Sequence, residues 1–292
     1  METTRDSLAE PAINKSFQSF AERWKRATWL SQTVRERRRF VIREALPRPS
    51  VASYRLRDTE DVVAIRHHGR GSGAPSSDPW ILYEVFRGGD YLWPPEVAAR
   101  LDSAADALRV VDLGANIGFF SLLVLSRYPT AQITAFEPDP GNVALLRRTL
   151  RRNGFDRQTQ IIEACAYIED GVLGFVSGQG GESHVCFDGE SATTRVACRD
   201  VFPYLRDVDL LKIDIEGGEW PLISDERFAA LRPRAIALEY HSQSCPGENA
   251  KQEATGRLAE MGYTISHPRP QLAPDRGQFW GAAVLWAHLA HG

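Results

Sequence analysis

Apolar and polar positions change rhythm twice along this chain. In residues 8–46, Phe17, Phe20, Trp24, Ala27, Ser31 and Val34 recur every three or four positions, the period of a helix that buries one face. Pro47 and Pro49 end that run, because proline lacks an amide hydrogen and clashes with the preceding turn. Residues 51–92 shorten to β-like runs, Val51–Leu56, Val62–Ile65 and Ile81–Phe86, with a Gly/Ser/Pro loop from Gly69 to Ser77. From about residue 108, strands alternate with helices. The strands are expected at Arg109–Leu113, Gln132–Glu137, Gln160–Ala166, Leu210–Ile215, Ala235–Tyr240, Tyr263–Ser266 and Ala282–Ala287. The helices are expected near 117–127, 140–153, 218–230 and 248–261. Such alternation predicts a mainly parallel sheet covered on both faces. Residues 267–281 are rich in Pro and Gly and leave no room for a helix, so the last two strands should pair antiparallel at the sheet edge. The expected organisation is an α/β domain over 93–292, preceded over 1–92 by a helical arm and a short β extension.

Composition narrows the classes. The chain has 292 residues, 43 % hydrophobic, with a net charge of -3, which gives no global attraction to nucleic acid or anionic lipid. No nucleic-acid partner is therefore expected. No apolar run approaches the roughly 20 residues of a membrane span, and METTRDSLAEP has no hydrophobic stretch of a secretory leader. The four cysteines, Cys165, Cys186, Cys198 and Cys245, form no CxxC pair, so a reduced cytoplasmic setting is expected. Only four of the 35 basic residues are lysines, and the cluster Arg35, Arg37, Arg38 and Arg39 reads as a solvated face. The arm is expected to pack on the main domain, with a homodimer through it as the alternative.

The chemistry concentrates where strands end. In Val110-Val-Asp-Leu-Gly-Ala-Asn-Ile-Gly-Phe-Phe-Ser121, an apolar strand meets Asp112, and Gly114 and Gly118 make the turn into a helix. Glycine lets the backbone approach a ligand closely, and ligands of such sheets bind at the carboxyl ends of strands. A nicotinamide site would normally show GxGxxG; here the pattern is Asp-x-Gly-x-x-x-Gly, with Asp112 placed to receive an ammonium. The next strand ends in Phe136-Glu-Pro-Asp139, about 20 residues on, where an acid hydrogen-bonds ribose hydroxyls. The third ends at Cys165 and Ala166, whose small side chains leave space for adenine. Asp112, Gly114, Asn116, Gly118, Phe119, Glu137, Pro138, Asn142, Cys165 and Ala166 are the candidate cofactor residues, and S-adenosyl-L-methionine is the expected cofactor.

Val111-Asp-Leu-Gly-Ala-Asn-Ile-Gly118, Phe136-Glu-Pro-Asp139 and Asp209-Leu-Leu-Lys-Ile-Asp-Ile-Glu-Gly-Gly-Glu219 together resemble the FkbM-type methyltransferases, over about residues 88–287. The third segment is the most specific. The resemblance implies the Rossmann-like class I methyltransferase fold and methyl transfer to a hydroxyl of a natural product, sugar or glycolipid. Gly217-Gly218 and the glycine-rich stretch Ser177–Thr194, which contains His184, depart from the family pattern.

An aliphatic hydroxyl is a weak acid, so a general base within hydrogen-bond reach helps its methylation. Asp214 shares a strand face with Glu216, and Glu239 with His241, so the four can converge at the crevice. Asp214, Glu239 and His241 are the candidate catalytic residues, with His241 as proton acceptor because its ordinary pKa leaves it largely neutral. Lys212 is expected to pair with a neighbouring acid. No metal site is assigned, although the same set could instead hold Mg²⁺; adjacent His67 and His68 point opposite ways and make a poor metal pair. Tyr91, Trp93, Trp220, Tyr240, Phe279 and Trp280 are candidates for a pocket wall but equally for core. The alternatives are a nicotinamide-dependent oxidoreductase and a non-catalytic methyltransferase-like binding protein.

Overall fold

The computed structural model describes residues 20–45, 49–67, 77–176, 184–186, 192–242, 244–266 and 282–289. The expectations for Phe17, Pro47, His68, Phe279, Trp280 and most of the Gly69–Ser77 loop lie outside them.

The single helix expected over 8–46 is two helices where it is described, α1 (Phe20–Leu30) and α2 (Arg37–Ala45). Between them Ser31–Thr33 forms one 3-10 turn, and Val34 becomes extended and bridges to Leu56. The break is made by pairing: Arg35 N donates to Arg55 O at 3.0 Å and Arg57 N to Thr33 O at 2.9 Å, so this edge joins the hairpin of β1 (Ser50–Arg55) and β2 (Val62–His67). The strand expected at Ile81–Phe86 is instead helical, α3 (Ser77–Tyr83) running on through a wide turn to Gly88. A short apolar run has no periodicity to separate the two states, and the buried carboxylate of Asp78 in its first turn favours helix. A further helix, α4 (Pro95–Asp102), starts on a proline, where the missing amide hydrogen has no helical partner to lose.

The central sheet has seven strands: β3 (Arg109–Leu113), β4 (Gln132–Phe136), β5 (Thr159–Ile162), β10 (Leu210–Ile213), β11 (Ala235–His241), β12 (Tyr263–Ser266) and β13 (Ala282–Leu289). Their spatial order is β5-β4-β3-β10-β11-β13-β12. All neighbours are parallel except β13, which runs antiparallel to both β11 and β12 and lies between them. The helices α5 (Phe119–Arg127), α6 (Pro140–Asn153), α7 (Glu219–Ser224), α8 (Glu226–Ala229) and α9 (Ala250–Glu260) alternate with these strands. This is the class I methyltransferase layout. The chain builds outward from β3 through β5, then returns to β10 on the other side of β3. The strand order thus reverses between β3 and β10, which opens a crevice at their carboxyl ends.

The strand expected over Gln160–Ala166 is two strands in two sheets. β5 stops at Ile162, and Ala164 N donates to Ile162 O at 2.9 Å in a tight turn. β6 (Cys165–Tyr167) then joins β7 (Gly171–Val176), β8 (His184–Val185) and β9 (Thr194–Asp200) in a second sheet ordered β6-β9-β7-β8.

Side chains alternate along the buried strands, so successive residues feed different cores. Val110 and Leu210 join one cluster with Phe119, Leu122 and Trp286; Val111 and Leu211 join the other with Trp220, Phe228 and Leu258. The first cluster also contains Leu30, Phe40, Tyr54, Ile65 and Leu82. The arm and hairpin therefore share a core with the sheet, as expected, and the Trp29 and Tyr83 rings pack 3.9 Å apart between centroids. Among the described residues no helix is long and apolar enough to cross a membrane.

Candidate active site

The crevice is built first by backbone. Gly114 (φ 79°), Asn116 (φ 49°) and Gly118 (φ 85°) carry the chain from β3 into α5 through left-handed conformations. A Cβ on Gly114 would stand 1.8 Å from the Asp214 carbonyl oxygen, so only glycine lets the turn lie against the end of β10. A Cβ on Gly118 would meet Leu146 Cδ1 of α6 at 2.2 Å. Glu137, just past β4, is 5 % exposed. Its Oε2 accepts from Asn116 N at 2.8 Å, and its Oε1 from Asp139 N at 2.9 Å and Asn142 Nδ2 at 3.1 Å. Burial pushes its pKa up to about 7, although these three donors pull the other way. Asp139 caps α6 by accepting from Gly141 N and Asn142 N, and Pro138 is half-buried beside it.

The acidic half lies beside this turn. Lys212 Nζ donates to Gly114 O at 2.7 Å and pairs with Asp112 Oδ1 at 3.3 Å and Asp214 Oδ2 at 3.2 Å. Burial opposes its charge, but the two aspartates outweigh burial and raise its pKa. The Tyr91 hydroxyl, from the turn before α4, lies 2.9 Å from Glu239 Oε2 and 3.2 Å from Asp214 Oδ2. Burial, then both carboxylates, hold its pKa well above the ordinary tyrosine value. Glu219 is fully buried at the start of α7; it accepts from Gly217 N at 2.8 Å and His241 N at 2.8 Å, and His241 Nδ1 is 3.0 Å away. His241 Nε2 faces Glu216 Oε2 at 3.2 Å. Burial disfavours the imidazolium, but Glu219, Glu216 and Glu239 override it and push the His241 pKa up to about 10. Burial raises Glu216 to about 8 and Glu239 to about 7, in both cases against the pull of His241.

Asp214, Glu216, Glu239 and His241 thus converge, and Lys212 forms the ion pair expected of it. Four expectations change. Asp112 has no exposed side-chain surface: its Oδ1 pairs with Lys212 and its Oδ2 accepts from the Ser121 hydroxyl at 2.7 Å, so it anchors Lys212. Phe119 is 2 % exposed and packs on Phe86 in the core. Cys165 and Ala166 are buried at the start of β6, past the end of the third strand. His241 has carboxylates at both ring nitrogens, which favour its protonated form, so it is not assigned as the proton acceptor. Glu219 was left without a role by the sequence, and Tyr91 was read there only as a candidate for a pocket wall or core. Glu219 closes the Lys-x-Asp-x-Glu-Gly-x-Glu motif, which was its signal; Tyr91 lies more than a hundred positions from its partners and had none beyond being aromatic. Trp220 and Tyr240 are buried, the Trp220 indole donating to His241 O at 2.9 Å.

The model of the FkbM methyltransferase domain matches residues 112–265, more than half of the chain. The chain belongs to the FkbM methyltransferase family. Two fungal methyltransferases are similar to it. Methyltransferase sdnD of Sordaria araneosa is 27 % identical over 206 residues, covering 57 % of this chain and 78 % of its own. Methyltransferase 1 of Beauveria bassiana is 24 % identical over 194 residues, covering 56 % and 76 % respectively. Among solved structures, a SAM-dependent O-methyltransferase of Thermotoga maritima aligns with a TM-score of 0.40 at 14 % identity, covering 82 % of this chain and 78 % of that one. This FkbM protein is a methyltransferase, and the nicotinamide alternative falls with that assignment.

Proposed function

We propose that this FkbM methyltransferase uses S-adenosyl-L-methionine to methylate a hydroxyl oxygen of a natural product, sugar or glycolipid. The single observation that carries the reading is the contact of Gly114 with the Asp214 carbonyl, which makes the glycine turn and the acidic strand end one continuous surface. The residues present fit the cofactor. Asn116 Oδ1 is buried without a hydrogen-bond partner beside the turn, an acceptor suited to a ligand donor. Glu137, already held by three donors, supplies the carboxylate for ribose hydroxyls. When bound, the cofactor supplies an electrophilic methyl group on a sulfonium.

The chain's own work is positioning and taking a proton. Tyr91 has one hydroxyl hydrogen between two carboxylates, so it satisfies only one of them as donor. The Asp214–Glu239 pair therefore has a free place for the proton that leaves the acceptor hydroxyl as its oxygen–carbon bond forms. Lys212 pairs with Asp214 at 3.2 Å and donates to Gly114 O, which holds the carboxylate against the turn. The test is incubation with methyl-labelled cofactor and a panel of hydroxylated acceptors. Label on oxygen is expected; label on nitrogen or carbon overturns the acceptor class. Asp214→Asn and Glu239→Gln should each lower turnover by roughly 100-fold or more, while affinity for S-adenosylhomocysteine stays near wild type. Full activity of both variants would remove the pair from the chemistry.

A further inference from the structure

Where β10 and β11 end, Asp214, Glu216 and His241 each offer one ligand atom, and the three atoms lie within 4.8 Å of one another. His241 Nε2 and Glu216 Oε2 are 3.2 Å apart. Metal–ligand bonds of about 2.0–2.2 Å at right angles set neighbouring ligand atoms about 3 Å apart, so this pair has the length of one coordination edge.

The imidazole is oriented from behind. Glu219 has no exposed surface and accepts backbone N–H groups from Gly217 and His241, which fixes its carboxylate behind the ring. Its Oε1 lies 3.0 Å from His241 Nδ1, which assigns the ring hydrogen to Nδ1 and turns Nε2 toward Glu216 and Asp214. Ligating histidines are held in this way, with the second nitrogen on a carboxylate.

Charge gives a separate reason. The carboxylates of Asp214, Glu216, Glu219 and Glu239 gather round this point, and Lys212 pairs with Asp214. Its ammonium is committed to Gly114 O, Asp112 and Asp214 on the far side of the cluster. Negative charge taken out of water is costly unless a cation balances it. Two carboxylate oxygens and the Nε2 lone pair would repel one another at these distances without a positive charge among them. Two candidates fit there, a proton on Nε2 or a metal ion.

We propose that Asp214, Glu216 and His241 bind a divalent metal ion of the Mn²⁺ class. A mixed set of two carboxylates and one imidazole suits Mn²⁺ and its first-row neighbours better than the all-oxygen sites of Mg²⁺ and Ca²⁺ or the thiolate sites of structural zinc. Three protein ligands leave coordination positions for a hydroxyl of the acceptor, whose proton the ion would make easier to remove. That role rests on the methyl-transfer reading above; the binding of the ion does not.

The test uses the full chain, stripped of metal and free of cofactor, titrated with MnCl₂ while free Mn²⁺ is counted by electron paramagnetic resonance. One ion per chain is expected, with binding at least tenfold weaker in Glu216→Gln and in His241→Asn. A second readout does not need either variant: ¹⁵N spectra of histidine in the wild-type protein with Zn²⁺ as a diamagnetic probe. There His241 should keep its Nδ1 hydrogen and lose any proton from Nε2. Absence of Mn²⁺, Mg²⁺ and Zn²⁺ binding, equal affinity in both variants, or an imidazolium that persists beside the ion would each overturn the inference. Binding of S-adenosylhomocysteine, measured by calorimetry without metal, reports separately on the cofactor reading.

Discussion

Glu137 shows how burial and hydrogen bonding compete within one residue. Its carboxylate accepts three N–H donors, yet burial still lifts its pKa to about 7. Because the folded value lies above the ordinary one, its contribution to stability is fully present below the ordinary carboxylate range and is lost as pH rises through about 7. Ligand hydroxyls act in the opposite sense, since they donate to the ionised form and lower that pKa. Affinity for S-adenosylhomocysteine should therefore rise as pH goes from 6 to 8. Glu137→Gln should bind more weakly by about 1–3 kcal/mol, the range for a hydrogen bond to a charged group, with no such pH dependence. Calorimetry across that range is the check, and an unchanged affinity in the variant would take Glu137 out of the site. Glu137 was legible in the sequence because its role depends on position after a strand. His241 was legible as a titratable residue at a strand end, but its carboxylate partners were not. Its charge is set by Glu216 and Glu219, which the strand-to-helix turn folds back onto it.

At the scale of elements, the N-terminal hairpin is tied to α6. β2 lies along α6: Val62 N donates to Asn153 Oδ1 at 2.8 Å, Asn153 Nδ2 to Val62 O at 2.8 Å, and Ala64 N to Thr149 Oγ1 at 3.2 Å. Arg66, held by the fully buried Asp78 of α3 through two guanidinium bonds of 3.0 Å, donates to Asn142 Oδ1 at 2.5 Å. Asn142 in turn donates to Glu137. Arg66 is thus a positioning residue that fixes the Asn142 amide, and through it the Glu137 carboxylate. Arg66→Met should raise the KM for S-adenosylmethionine several-fold and leave kcat close to wild type, because the acidic half of the site does not touch Arg66. Steady-state kinetics with varied cofactor tests this; a loss confined to kcat would contradict it. The α5 and α6 segments were legible because each opens at a strand end and keeps a helical period. The β5–β6 break was not, since residues 160–166 keep a β-like pattern straight through the turn, and pattern alone carries no sheet membership.

Across the whole molecule, the extension and the sheet share one apolar core. Leu30, Phe40, Tyr54 and Ile65 are buried in the same cluster as Phe119, Leu125 and Trp286. Beside it Tyr54, His67 and the half-buried Glu44 form a chain, with 2.8 Å from the Tyr54 hydroxyl to His67 Nε2 and 2.8 Å from Nδ1 to Glu44. Removing residues 1–67 should expose Trp29's partner Tyr83 and the face of α5, lower the melting temperature and induce binding of a hydrophobic dye. Thermal melts of the truncated chain decide this; an unchanged melting temperature with an altered oligomeric state would favour an independent interaction arm. The sequence by itself determined the alternation of strands and helices, the glycine turn after β3 and the acid after β4, because burial periodicity and backbone freedom are properties of neighbouring residues. Tertiary structure alone decided that Asp112 serves Lys212, that Tyr91 spans two carboxylates and that Glu219 orients His241. Those roles depend on which distant groups share one crevice, and on the charge each imposes there, neither of which is written in local sequence.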